Sequence, residues 1–344
     1  MTMKHISIFM AALFGVLILT TSCNDEWKEE QYTQYISFKA PLNDLGVTDV
    51  YVPYSRHADD GSYLYGEGLS SYQLPVIVSG SVHNENNITV HVGIDPDTLA
   101  QLNYEKFSQR KDLFYVNMEQ YATFPETVNV PSGTDVSLLD VHFDFNGIDM
   151  SQKWLLPLTI KDSPSYGYTS HPRKNYAKAL LRVFPFNNFS GNYSATTLKM
   201  ARTTNIEDGI GGEESRAYVV DENTVFFYAG IRIDEERMDR NNYKVFFRFE
   251  PEGDGNRGKV EIYTDNPAMK LQVNNSAEFS VYEQYDDVRP YLLHHYIIIN
   301  NINYNFTDYT SSVSTEFEYN VTGSLTLERP INTQIPNEDQ AIEW

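Results

Sequence analysis

The chain carries 47 acidic residues, so its first chemical possibility is carboxylate chemistry. Hydrolysis of a glycosidic bond needs two carboxyl groups about 5 to 10 Å apart across the scissile bond. Two pairs are adjacent in sequence, Glu213-Glu214 and Asp286-Asp287. In a strand, adjacent side chains point to opposite faces; in a loop, both are solvated. Neither pair is assigned a catalytic role. His294-His295 would likewise straddle a strand, so one metal ion would not take both. Asp254-Gly-Asn256 lacks the spacing and the closing bidentate Glu of a calcium loop. Gly209-Ile-Gly-Gly212 lacks the Lys of a phosphate loop and reads as a flexible surface loop. No Gly-x-Ser-x-Gly elbow occurs. The residues therefore assign no catalytic group, no metal ligand and no cofactor.

The aromatic residues offer different chemistry. With 25 Tyr and 19 Phe against 3 Trp, most rings must pack in strands and core. Three loops place them otherwise. Tyr63 and Tyr65 lie in a glycine-rich stretch, Asp59 to Gly68. Tyr166 and Tyr168 flank a glycine in a second loop. Tyr285, Asp286, Asp287, Arg289 and Tyr291 form a third, polar and aromatic. Sugar-binding sites combine a ring face with carboxylate, amide or guanidinium hydrogen bonds to hydroxyls. The competing reading is that these tyrosines pack on the domain surface or at a domain junction. Trp27 falls in a tether and Trp154 in the core, so no Trp pair marks a platform.

The elements that must position these loops read as β throughout. In the first half, strands are predicted at 73–79, 88–94, 126–130, 136–143, 155–160 and 177–184. A short helix is predicted at 96–102, with Asp95 as its cap and Pro96 in its first turn. This spacing predicts an all-β fold opening with an antiparallel immunoglobulin-like sandwich. Residues 185–192 interrupt the pattern and place a domain boundary. The second half predicts strands at 191–198, 215–220, 224–228, 244–250, 259–263, 269–273, 278–285, 294–300, 302–307 and 314–328. Sequential antiparallel strands tend to close on themselves, so a meander barrel or curled sandwich is expected. The predicted division is a sandwich over 37–185, a barrel-like domain over 186–329, and an extended polar tail over 330–344.

The first residues read as a secretory signal, 1–22. Lys4 and His5 precede an apolar stretch, Ile6 to Leu19, then Thr20, Thr21, Ser22 and Cys23. About 20 apolar residues are needed to span a membrane, and this stretch is shorter. Small residues before a cysteine form a lipobox, with Cys23 as the acceptor of the lipid. Cys23 is the only cysteine, so no thiol remains for a disulfide. An acidic tether, 23–36, follows. Its Asn24-Asp25-Glu26 start resembles the export signal of Bacteroidetes lipoproteins. That resemblance implies an outer-membrane, cell-surface location, anchored through Cys23.

The formal charge is −21. Phosphate neutralisation needs clustered Lys and Arg, so nucleic acid is excluded as an expected partner. Strongly anionic polysaccharide is disfavoured for the same reason. Neutral oligosaccharide or polysaccharide remains compatible.

Several segments carry a family resemblance. Residues 73–79, Ile88 to Asp95, the helix with Asn103, Tyr121 to Pro125, Val130-Pro-Ser-Gly133 and Leu156-Pro-Leu-Thr-Ile160 form one set. Phe189-Ser-Gly-Asn-Tyr193, Tyr319 to Arg329 and Asn332 to Glu343 form another. Together they resemble Bacteroides surface lipoproteins of polysaccharide-utilisation loci. The first domain also resembles the N-terminal domain of some Bacteroides endo-β-N-acetylglucosaminidases. The Asp-x-x-Asp-x-Asp-x-Glu signature of glycosidase family 18 is absent, so their activity is not inherited. The resemblance implies a non-catalytic glycan-binding accessory, with an outer-membrane transporter and glycosidases of the same locus as partners. Two alternatives remain open. A docking subunit predicts an exposed apolar patch and no polar-rimmed groove. A glycoside hydrolase predicts an acidic cleft holding one carboxyl of raised pKa.

Overall fold

The structure is a computed structural model that describes residues 33–58, 60–231, 233 and 236–344. The signal peptide, Cys23, Trp27 and most of the acidic tether lie outside the described residues. The first half runs β1 (Tyr35–Phe38), β2 (Thr48–Pro53), β3 (Leu69–Ser79), β4 (Ile88–Ile94), α1 (Pro96–Phe107), β5 (Tyr115–Asn117), β6 (Ala122–Thr123), β7 (Thr127–Val130), β8 (Val136–Asp144), β9 (Lys153–Ile160) and β10 (Lys178–Phe186). Alternation builds its core: Leu74, Val76 and Val78 of β3 and Leu139, Val141 and Phe143 of β8 point inward and are buried. Two sheets result, one ordered β1-β3-β8-β6 and one ordered β2-β10-β9-β4-β7 with β5 also on β9. The sandwich is not wholly antiparallel, because β2 runs parallel to β10 and β5 parallel to β9. Residues 35 and 36, assigned from sequence to the tether, already belong to β1, and Ile36 is buried.

Helix α1 starts as expected, with the Asp95 carboxylate accepting from the Thr98 amide at 3.1 Å. It runs to Phe107, past the predicted end at 102. Buried Asn103 explains the extension. Its side chain donates to the Tyr115 carbonyl at 2.8 Å and accepts from the Tyr115 amide at 2.7 Å, tying the second turn to β5.

The second half runs β11 (Gly191–Ser194), β12 (Lys199–Arg202), β13 (Asn205–Gly211), β14 (Glu214–Val219), β15 (Thr224–Tyr228), β16 (Lys244–Glu252), β17 (Arg257–Tyr263), β18 (Gln272–Val273), β19 (Ala277–Tyr285), β20 (Leu292–Asp308), β21 (Phe317–Asn332) and α2 (Glu338–Ala341). The order β11-β14-β15-β16-β17-β19-β20-β21 returns to β11, so the sheet closes into a barrel. Large buried rings fill it, among them Tyr193, Phe247 and Phe306. The void left between Phe227, Phe247, Tyr304 and Leu325 is about 10 Å³, too little for a ligand. The predicted loop Gly209–Gly212 is mostly strand: β13 runs through Gly211 and pairs with β12. Edge position and glycine content hid it, since nothing apolar alternates there.

The tail, expected to be extended and polar, folds back on the barrel and includes the short helix α2. Ile342 pairs with Ile331, and the Glu343 amide donates to the Pro330 carbonyl at 2.9 Å. Trp344 then reaches the first domain, stacking on Tyr51 and meeting Phe186 edge-on. Arg329, fully buried beside it, donates to the carbonyls of Asn187 and Ser190. Burial brings its guanidinium down to about 10, so it stays cationic at neutral pH. Among the described residues no helix is long and apolar enough to cross a membrane.

Candidate functional site: a polar and aromatic cleft

Strand β1 covers β3 only at residues 76–79, leaving the first half of that edge open. Strand β2 is the outermost strand of the facing sheet. Unpaired edges need other partners, and Arg56 supplies one. Its Nε and Nη2 donate to the Ser71 carbonyl at 3.0 and 2.5 Å, and Nη2 also pairs with Asp339 of α2. The tail is thus drawn across the opening. What remains is a cleft of about 670 Å³, walled by β2, β3, β8 and the tail. That volume suits a small-molecule or oligomer site.

One wall is polar. Gln73 and Asp140 are register partners, and the amide donates to the carboxylate at 2.9 Å. His142, two residues on, lies opposite Ser71 and meets the Tyr65 ring edge-on at 5.7 Å. The other wall is aromatic. Tyr51 and Trp344 stack with centroids 4.2 Å apart and planes 7° apart, and Asp49 beside them accepts from Asn43 at 2.8 Å. Burial raises the pKa of Tyr51 and Tyr72, which keeps both phenols protonated and able to donate. Burial also pushes the Asp339 carboxyl up, opposed by the Arg56 guanidinium. Because that carboxyl is held by Arg56, it is not placed as a free proton donor. Among the described residues no cluster of three or more metal-ligating side chains occurs.

Of the tyrosines singled out from sequence, Tyr65 lines this cleft, about half exposed. Tyr63 packs instead on His57, with centroids 4.8 Å apart, and is not part of the lining. Tyr166 stacks on His91 at 3.8 Å. Tyr168 is pinned, accepting from the His91 amide and donating to the Lys161 carbonyl. The Tyr285 to Tyr291 loop forms the β19–β20 hairpin on the barrel. There Asp286 caps the turn, accepting from the amides of Val288 and Arg289, which hold its carboxyl at about 2. Arg289 adds a 3.3 Å contact to Asp286, and the Tyr291 carbonyl accepts from Thr333; Asp287 stays exposed. These three loops do not converge. The adjacent histidines divide as expected, His294 to Glu328 and His295 to Glu283.

Sequence reasoning missed Tyr51, Tyr72, Gln73, Asp140, His142 and Trp344. Asp140 and His142 left a signal, being polar residues at alternate positions of a strand whose other face is apolar. Tyr51 and Trp344 left none, because their meeting depends on how the tail folds back.

A closed barrel behind a sandwich, with a cleft on the sandwich edge, defines a two-domain β protein. A family described as domain of unknown function DUF4973 matches residues 27–164, and a C-terminal domain family matches residues 177–326. A solved structure described as an auxiliary nutrient binding protein from Bacteroides thetaiotaomicron is 46% identical, with TM-score 0.81, over 90% of this chain and 99% of that one. A multidomain protein including DUF1735 from Bacteroides ovatus is 40% identical, with TM-score 0.77, over 90% and 100%. A protein of unknown function from the same species is 36% identical, with TM-score 0.76, over 90% and 97%. No curated protein matches. The chain belongs to this family of Bacteroides proteins, in which a DUF4973 domain precedes a C-terminal β-domain.

Proposed function

We propose that this protein is a non-catalytic glycan-binding accessory of polysaccharide utilisation, held on the outer membrane through a lipid on Cys23. The observation that carries this reading is the cleft, where ring faces and paired polar groups share one opening. Its ligand is a neutral oligosaccharide, recognised by contact with Tyr65 and Trp344 and by hydrogen bonds to Asp49, Gln73, Asp140 and His142. The relative described as a nutrient binding protein supports binding over catalysis. So does the commitment of Asp339 to Arg56. Captured glycan would pass to a transporter and glycosidases of the same surface system, and tethering would raise its local concentration.

A docking role has one observation in its favour: Val136 and Leu138, on the outward face of β8, are about half exposed. The test is a glycan-array screen of the chain lacking residues 1–23, with reducing-end release followed in parallel. Binding without release, lost in Tyr65→Ala, supports capture. Release of reducing ends establishes a hydrolase instead. Silence across neutral host and plant glycans transfers the assignment to docking.

A further inference from the structure

Of the three loops singled out from sequence, the one between β19 and β20 belongs to a larger array on the solvent side of the barrel. Strands β19, β20 and β21 pair in register there and carry their outward side chains in rows. One row is Tyr282, Tyr296 and Glu328; the next is Gln284, His294 and Pro330. Tyr282 and Tyr296 stack with centroids 4.7 Å apart and planes 15° apart, and the His294 ring lies within 15° of parallel to Tyr296. Tyr282 is 46% exposed and Tyr285, at the end of β19, 58%.

Polar contacts fix these rings. Glu328 Oε1 accepts from the Tyr296 hydroxyl at 3.1 Å and lies 2.6 Å from His294 Nδ1. The other imidazole nitrogen lies 3.4 Å from Asp286, which also receives Arg289 at 3.3 Å. A chain of contacts from Arg289 through Asp286, His294 and Glu328 thus ends at the ring pair. Exposed pairs of this kind add little stability. Their effect here is to hold ring faces and hydrogen-bonding groups in one arrangement. Glu328 remains about half exposed, and the exposed Tyr282 hydroxyl and Gln284 amide have no hydrogen-bond partner among the described residues.

Parallel rings flanked by a carboxylate and an amide are the groups that meet pyranose faces and hydroxyls. The two rows contain no Val, Leu, Ile or Met, so they offer an apolar protein surface no matching patch. Asp286, Asp287 and Glu328 outnumber Arg289 there, which disfavours an anionic sugar. We propose that this face of the barrel is a second saccharide platform, taking a neutral glycan chain across Tyr282, Tyr296 and Glu328. It rests on the glycan-binding reading of the protein but shares no residue with the cleft lining. Two sites on one chain would hold a polysaccharide more firmly than either alone.

The test uses the full chain and four neutral polysaccharides: starch, galactomannan, arabinoxylan and mixed-linkage β-glucan. Native gels containing each polymer show which of them retards the protein, and calorimetry with hexasaccharides of that polymer counts the sites. The expected result is about two equivalents per parent chain and about one in Tyr282→Ala, with gel retardation weakened by Tyr282→Ala or Tyr65→Ala and abolished by both together. Glu328→Gln, which keeps the shape, should weaken the same equivalent and guards against loss of fold in Tyr282→Ala. A single equivalent that is lost in Tyr65→Ala and unchanged in Tyr282→Ala and Glu328→Gln overturns the platform and leaves the cleft reading standing. A second equivalent indifferent to both platform variants also overturns it. A parent that none of the four polymers retards overturns the glycan reading and the platform with it.

Discussion

The indole of Trp344 lies face to face with the ring of Tyr51, 4.2 Å between centroids, and so binds the tail to an edge strand of the first domain. Tyr51 rests in turn on Phe184 at 5.2 Å, and Phe184 carries Arg182 and Arg216 on its faces. One aromatic stack thus runs from the cleft into the domain junction.

Trp344→Ala should remove that clamp and one wall of the cleft. The expected loss of stability is about 1 to 2 kcal/mol, from the ring pair and its burial. Urea unfolding measures it. Tyr65→Ala, on an exposed loop, should leave stability within about 0.5 kcal/mol while weakening glycan binding about tenfold. Calorimetry with the glycan found on the array checks the second figure.

Arg56→Ala should loosen α2 without unfolding the sandwich. It strands Asp339, which is largely buried, and uncovers the Ser71 carbonyl. Leaving such groups unpaired costs about 1 to 3 kcal/mol. Hydrogen exchange should quicken at 339–343 and stay unchanged in β3 beyond Val76. Unchanged exchange in the tail would show that the Ile342–Ile331 pairing and Trp344 hold it alone.

Asp308 sets an acid limit. Burial would raise its carboxyl, but Ser311, Tyr243 and Arg237 donate to it and hold it well below the ordinary carboxylate range. A folded-state pKa below the unfolded one contributes stability that is present above about pH 4 and is lost as pH falls further. Asp308→Asn should lower stability at pH 7 and flatten its dependence on pH below 4. Urea midpoints for both proteins from pH 7 to pH 3 test this; parallel curves would exclude Asp308 as a source.

Gly323→Ala should be poorly tolerated. The backbone sits at φ +138°, and a Cβ would come within 2.2 Å of the Thr197 carbonyl oxygen. It lies beside the register shift between Ile299 and Ile302, where the long β20–β21 hairpin bends from the barrel towards β12. The expected cost is at least about 2 kcal/mol. A midpoint within error of the parent would mean that the bend can be relieved elsewhere.

Cys23→Ala should release the protein from the membrane fraction of an expressing cell, and a lipid-modified Cys23 peptide should be found by mass spectrometry in the parent alone. Membrane retention of the variant would remove the anchor from the proposed function.

What the sequence determined by itself was local. Runs of β-branched and aromatic residues between turn signals marked β4 and β15 at their full extent and most other long strands to within a few residues; β8 also alternates, with one face buried and the other wet, whereas β15 is buried on both faces. Asp95 and Pro96 marked the start of α1, since capping is settled within one turn. The density of sequential strands pointed to closure, and the barrel is closed. Short strands such as β1, β5 and β6 carried too few alternations to register, and β13 had no buried face. The cleft was decided only by tertiary structure. Tyr65 could be named from its loop, but its partners come from β2, β3, β8 and a tail that returns from the barrel. No sequence spacing encodes that meeting; it follows from a barrel that delivers Trp344 to the β2 edge, across the cleft from the part of β3 that β1 leaves uncovered.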